Sequence, residues 1–524
     1  MNRTEPTKDS NHTPYLRKQG NATQLIVDGK PFLIIGGELH NSSSSQLEYM
    51  QPIWERLVTL NLNTVLAAIF WELMEPEEGV FNFALVDGLI REARNHDLRL
   101  IFLWFGSWKN GTSSYIPAWM KQDYSRFPRV KLGGGQSIEV LSNLSEANQQ
   151  ADCKAFAALM RHLGEVDGNE HTVIMVQVEN EVGVLGNSRN RSDEANQAFS
   201  SPVPQKLSKQ LQQHQHELSP EILQRWAKTG FKTSGSWEEI FGSGPGTDEI
   251  FMAWNYARYI DSVAAAGKAE YELPMFVNAW LDYSALKPGG WPSGGPTPRM
   301  LDIWLAGAPH IDLFCPDIYF EDFQQWCQWY TRRNNPLFIP EMLLNDAGAR
   351  NIFYAIGQHD AIGTSPFAVD GPENPAHISL SKSYALLKQV APLILEHQGK
   401  GEMAGFVLDK EHPNVIREMG GYELEISLDQ IFGYEAERGY GLVIAADVNT
   451  FIGVGHGFRV IFRPKTAGPT NVGIATVDEG EYRDRQWIPA RRLNGDETAG
   501  GLAWRFLETA LSTGISRCTI YRYE

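Results

Sequence analysis

The chain is poor in cysteine, in net positive charge and in long apolar runs. Its four cysteines in 524 residues, Cys153, Cys315, Cys327 and Cys518, form no CxxC pair and no metal-ligand spacing. That argues against a disulfide framework and a zinc ribbon, and it makes buried free thiols in a cytoplasmic protein the expectation. Acidic residues outnumber Lys and Arg by 63 to 46, for a formal net charge of −17. Such a surface repels polyanions, so neither nucleic acid nor anionic membrane is an expected partner. No stretch reaches the roughly 18 apolar residues that cross a bilayer, and residues 1–9 lack the apolar heart of a secretion signal. Without such a signal, the sequons at Asn41 and Asn110 read as chance matches. There is also no HExxH, no GxGxxG after a strand and no GxSxG elbow. No metal site and no cofactor are therefore expected.

What the chain does have is alternation. Short β-rich apolar runs lie near residues 32–36, 64–70, 98–105, 172–178, 275–278, 311–315, 337–340 and 363–367. Amphipathic stretches separate them, including 47–60, 83–95, 148–163, 250–269, 320–333 and 379–396. Eight β-α units predict a closed (β/α)8 TIM barrel over residues 18–400, after a polar, disordered segment 1–17. Two connections are long: residues 106–146, with the Gly133-Gly134-Gly135 turn, and a polar segment 186–220. Long loops after barrel strands build substrate pockets. Beyond residue 400 the period changes. Residues 422–428 alternate strictly, and short runs recur at 441–446, 457–462, 472–477 and 517–523. This predicts a C-terminal antiparallel β domain, sandwich-like, over 401–524.

Two glutamates end apolar strands: Glu181 in Gln177-Val178-Glu179-Asn180-Glu181 and Glu341 in Phe338-Ile339-Pro340-Glu341. In a barrel, the C-terminal strand ends face one pocket, so these two are expected to meet there. Paired carboxyls, one protonated and one ionised, are the minimal apparatus for cleaving a glycosidic bond. Glu179, two residues before Glu181, is expected on the same strand face one layer deeper, as a supporting group. Among the aromatics, Trp71, Trp108 and Trp280 are candidate stacking platforms for a sugar, with core packing the commoner role for such residues. Glu72 and His40 sit at strand ends, where they are candidates for hydroxyl binding or for a structural ion pair.

These motifs resemble the clan of glycosidases with an acid/base on the fourth barrel strand and a nucleophile on the seventh. Within it the chain is most similar to glycoside hydrolase family 35, the β-galactosidases, over about residues 18–400. The likeness is carried by Asn180-Glu181, by Phe70-Trp71-Glu72-Leu73-Met74-Glu75-Pro76 and by Ile116-Pro117-Ala118-Trp119. It implies a retaining exo-β-galactosidase with Glu181 as acid/base and Glu341 as nucleophile. It implies Asn180 as the ligand of the sugar 2-OH and Tyr319 as a hydrogen-bond donor to the nucleophile. The substrate would be a β-galactoside from an oligosaccharide or polysaccharide, with a xyloside, glucoside or α-L-arabinopyranoside, or a silent carbohydrate-binding barrel, as alternatives. The chain departs from the family at three places, the first being Glu72, where the second-strand motif commonly has Asn after Trp. Gly106-Ser107-Trp108 stands where the family has a galactose-binding Glu after the third strand, and Gly36-Gly37-Glu38-Leu39-His40 stands for its Ser-Ile-His.

Overall fold

A computed structural model describes residues 13–282, 286–431, 434–507 and 512–524. Its centre is a closed barrel of eight parallel strands. These are β1 (Ile34–Glu38), β2 (Thr64–Phe70), β3 (Arg99–Phe105), β4 (Val173–Val178), β5 (Met275–Trp280), β6 (Leu313–Ile318), β7 (Phe338–Met342) and β8 (Gly363–Pro366). All are buried almost throughout, and most are apolar runs, as strands covered on both faces tend to be. Inward side chains such as Leu66, Leu103, Ile174, Phe276, Leu313 and Phe338 fill the barrel. Outward ones meet helices, among them Glu146–Asp167 and Pro245–Glu270.

Three departures from the sequence reading matter. First, a three-stranded antiparallel sheet (Tyr15–Gln19, Ala22–Val27, Lys30–Phe32) precedes the barrel, and its Leu25 and Val27 join the interior cluster. The expected disordered segment therefore does not extend to residue 17, and residues 1–12 lie outside the described residues. Second, β1 begins and ends two residues later than the apolar run suggested, which brings Glu38 to its C-terminal end. Third, the polar segment after β4 is largely helical, with helices at Asp193–Ser200, Gln205–Gln213, Pro220–Lys228 and Trp237–Phe241. Ser192, Ser219 and Ser236 cap three of them through their side chains. Capping at the start of these three helices compensates for the low apolar content that makes the segment look like loop.

The last barrel helix ends at His397, and an antiparallel β domain starts at Met403. One sheet has six strands and the other four. Tyr422–Leu428 alternates buried and half-buried residues, the pattern of a strand with one face in the core. The two sheets enclose a core of Phe406, Leu424, Ile426, Phe458 and Trp504. The outer face of the larger sheet packs on the barrel, where Leu442, Ile444, Ile452 and Val454 share one cluster with Ile352, Phe353 and Val390. Gly357 and Gly405 meet at this seam, and a Cβ on Gly357 would lie 2.8 Å from the Gly405 backbone. No described helix is long and apolar enough to cross a membrane.

Candidate active site

Four carboxyl groups converge at the C-terminal end of the barrel: Glu38 from the end of β1, Glu181 just beyond β4, Asp317 from β6 and Glu341 from β7. All four are buried. Oxygens of Glu181, Asp317 and Glu341 lie within 4.8 Å of one another. The parallel register of β6 and β7 sets Asp317 beside Glu341.

The backbone that presents Glu181 is unusual. β4 ends at Val178, and Glu179 and Glu181 adopt left-handed conformations at φ +64° and +45°. Such conformations cost of order 1–3 kcal/mol each and persist only where surroundings over-determine them. Here the surroundings are the loop after β3 and the end of β5. The Ser107 and Trp108 amides donate to Glu179 at 3.0 and 2.6 Å. The Asn180 amide donates to the Trp108 carbonyl, and the Gly111 amide donates to that of Glu181. The Asn278 side chain on β5 accepts from the Glu181 amide at 2.9 Å and donates to Asp317 at 2.7 Å. Because the chain leaves strand geometry at residue 179, Glu179 is not on the Glu181 face. It turns to the β3 loop, and its carboxyl hydrogen-bonds Asp152.

The turn that carries Lys109 follows from its sequence. Asn110 and Gly111 both have positive φ, and Lys109 and Thr112 exchange backbone hydrogen bonds across them. Asn-Gly is the dipeptide that such a turn favours. It brings the buried Lys109 ammonium to 5.0 Å from the centroid of the Phe105 ring.

Burial raises the pKa of all four carboxyls, but not equally. Glu341 is raised by burial alone and is held down by Lys109 and by the Tyr319 hydroxyl that faces it as a donor. Glu38, Glu181 and Asp317 are pushed up by burial and then by the charge on Glu341. Glu181 reaches about 8, with Lys109 and nearby Asp317 opposing the rise. Glu38 and Asp317 go well above the ordinary range. The charge on Glu341 thus favours protons on the other three, and Glu181 keeps its proton near neutrality. Glu181, Asp317 and Glu341 are also spaced closely enough to chelate a cation, although Lys109 and the retained protons already offset the charge.

Some polar atoms in this pocket have no protein partner. Both side-chain atoms of buried Asn180 are unpaired, as are Oε1 of Glu38 and Oδ1 of Asp317. A buried polar atom left unpaired costs about 1–3 kcal/mol, so such atoms in a cleft point to a ligand.

Of the residues expected from the sequence, the structure brings Asn180, Glu181, Tyr319 and Glu341 together. It does not bring Trp108, Glu72 or His40 to them as sugar ligands. The Trp108 ring is fully buried against Tyr256 and Tyr259, and its indole donates to the Leu141 carbonyl. Trp71 is buried too, donating to Glu75. Glu72, on the short helix Trp71–Met74, pairs at the surface with Lys121 at 3.2 Å. His40 sits at the rim with its ring on Asp370 at 2.8 Å, beside a recess of about 560 Å³ that includes Tyr49 and Phe367. Trp280, at the end of β5, is half-buried and remains the tryptophan of the three with an open face. Glu38, Lys109, Asn278 and Asp317 were not singled out from the sequence. Glu38 and Asp317 each lie two residues beyond the apolar runs at 32–36 and 311–315, so those runs do not mark them as strand ends.

The fold is a closed barrel of eight parallel strands with paired carboxyls at the C-terminal strand ends. A family model described as β-galactosidase, that of glycoside hydrolase family 42, matches residues 41–243. A domain of unknown function, DUF5597, matches residues 380–505. The match to family 42 does not support the family 35 assignment expected from the motifs. The β-galactosidase of Xanthomonas manihotis is 30% identical over 174 residues, 31% of this chain and 25% of that protein. β-Galactosidase 8 of Oryza sativa subsp. japonica is 30% identical over 166 residues, 31% of this chain and 23% of that protein. The chain thus covers a quarter or less of these curated relatives. Among solved structures, the β-galactosidase of Rahnella sp. R3 has a TM-score of 0.49 at 14% identity, covering 70% of this chain and 57% of that one. The catalytic domain of the Paenibacillus polymyxa β-amylase has a TM-score of 0.46 at 10% identity, covering 66% and 96%. Likenesses at this level carry no argument for function.

Proposed function

We propose that this protein is a retaining glycoside hydrolase that removes terminal β-D-galactosyl residues, in a compartment that keeps its four unpaired cysteines reduced. The observation that carries the reading is the buried pair Glu181 and Glu341, whose oxygens lie within 4.8 Å and whose surroundings split their ionisation. That approach fits the separation of about 5–5.5 Å of retaining enzymes better than the 6.5–9.5 Å that leaves room for water in inverting ones. The family 42 match over residues 41–243 and the curated relatives support galactose as the sugar.

Glu341, ionised, attacks the anomeric carbon as Glu181 gives its proton to the departing oxygen. The C1–O bond to the aglycone breaks, and an ester to Glu341 forms. Glu181, now a carboxylate, takes a proton from water. The resulting hydroxide equivalent attacks the same carbon, releases Glu341 and restores the original anomeric configuration. Tyr319 and Lys109 stabilise the Glu341 carboxylate as it leaves, and the unpaired Asn180 amide faces the sugar 2-OH.

A panel of nitrophenyl glycosides tests this. The β-galactoside should be turned over with the highest kcat/KM. A preference for the xyloside, glucoside or α-L-arabinopyranoside would replace the sugar and keep the mechanism. No turnover of any glycoside would leave a silent carbohydrate-binding barrel.

A further inference from the structure

We infer that Glu38 and Lys109 bind the hydroxyls of the sugar that Glu341 attacks, and that this pair selects a neutral pyranoside. The inference rests on the glycosidase reading above. Glu38 ends β1 and is bridged in parallel to Phe367, which follows β8, so its backbone belongs to the barrel wall rather than to a loop. It is 2% exposed, yet its Oε1 has no partner in the protein. The charges that act on it are those of Glu341, Lys109, Glu181 and Asp370, which places it in the pocket of the reacting pair. Asn180, in the same pocket, also presents an unpaired buried amide. Lys109 is 5% exposed and is held by the Asn110-Gly111 turn that is tied to the Glu181 carbonyl.

The wall after β3 cannot supply an equivalent carboxyl. A Cβ at Gly106 would lie 2.2 Å from the Trp104 indole nitrogen and 2.6 Å from Glu179 Oε1, so no side chain fits there. Glu179 is spent on the Ser107 and Trp108 amides. Among the described residues, two carboxyl oxygens of the four converging acids are unpaired, Glu38 Oε1 on the wall between β8 and β1 and Asp317 Oδ1 on β6; Asp317 is already engaged by Asn278 through its other oxygen, and Glu38 feels the charge of buried Lys109. A carboxyl that accepts and an ammonium that donates suit neighbouring hydroxyls on one ring. Four carboxyls against one lysine disfavour a uronic acid, whose extra anion would meet like charge in a low dielectric.

The test compares kcat/KM of wild type, Glu38→Gln and Lys109→Met on nitrophenyl β-galactoside and on its 3-deoxy, 4-deoxy and 6-deoxy analogues. On the parent, Glu38→Gln should lose about 10–100-fold, the loss expected for a hydrogen bond to a charged or strongly polar partner. On one analogue, the one lacking the bound hydroxyl, that loss should shrink to a few-fold. Lys109→Met should show the same analogue dependence at the same or a neighbouring position, which keeps the test available if Glu38→Gln fails to fold. The wild type should leave the nitrophenyl β-galacturonide untouched. An equal loss on every analogue, or no loss on the parent, overturns the pair while the glycosidase reading stands. Absence of wild-type turnover on every glycoside overturns that reading and the pair with it.

Discussion

Two groups of buried acids lie back to back at the end of β4, and they differ in one respect. In the rear pair, Asp152 and Glu179, every carboxyl oxygen has a partner. Asp152 accepts from the Trp104 indole, Ser107 and Tyr259, and Glu179 accepts from the Ser107 and Trp108 amides. The two also hydrogen-bond each other, and burial raises both. In the front group of Glu38, Glu181, Asp317 and Glu341, oxygens of Glu38 and Asp317 are left without partners. Burial is alike in the two groups, so it does not mark function. What separates them is satisfaction: the rear pair builds a loop, and the front group leaves bonding capacity for something that is not protein.

The comparison is broken most forcefully at Glu341. Glu341→Ala should lower glycoside turnover on the order of 10⁴-fold or more on every substrate, because it removes the attacking atom. Added azide should rescue turnover of this variant and yield the inverted glycosyl azide. Retained activity would show that the unsatisfied group is not the reacting one.

Glu181→Ala should be selective. With a poor alkyl leaving group, kcat/KM should fall about 10²–10⁴-fold, the range of general acid catalysis. With dinitrophenolate the glycosylation step should survive, an intermediate should accumulate, and azide should speed turnover with net retention. Normal turnover of an alkyl galactoside would sink the assignment.

Glu179→Ala should act on the rear pair and on stability. It strands the Ser107 and Trp108 amides, at about 1–3 kcal/mol for each stranded group, and removes the hydrogen bond to Asp152. Urea unfolding should show the loss, whereas Glu341→Ala should unfold no earlier than wild type. Equal stability of the two variants would erase the distinction between the groups.

The smallest effect is on pH dependence. Glu181 has a folded pKa of about 8, raised above its ordinary 4.5. Between those values the folded state holds a proton that the unfolded state has lost, so stability falls as pH rises through this window. Glu181→Gln removes that cost. Its melting temperature should exceed that of wild type at pH 8, with the gap closing toward pH 5. For wild type, kcat/KM should fall above about pH 8 as Glu181 loses its proton. Its acid limb should lie above the ordinary carboxylate range, because burial raises Glu341. A gap that widens toward pH 5 would contradict the raised pKa of Glu181.

The reach of the sequence follows the same division. Buried parallel strands and one-faced antiparallel strands write different periods into a chain, so the barrel and the β domain were both legible. Glu181 and Glu341 were legible because they close long apolar runs. Glu38 was not, because an apolar run marks a strand only to within a couple of residues, and β1 ends two residues past the run. Glu179 was misplaced one layer below Glu181 because a left-handed residue after Val178 breaks the period of two. Trp108 was taken as a possible platform because its type says that a ring is present, while its burial against Tyr256 and Tyr259 depends on a helix some 150 residues away in the sequence. Asn278 and Asp317 gain meaning only from each other and from the Glu181 amide.

The most direct test of the central claim is to trap the intermediate. Incubation with 2-deoxy-2-fluoro-β-galactosyl fluoride, followed by intact mass and peptide mapping, should show one fluorogalactosyl group per chain, esterified to Glu341, with inactivation in step. A label on Glu181, Asp317 or Glu38 instead would contradict the account, as would active protein that takes no label and releases α-galactose as its first product.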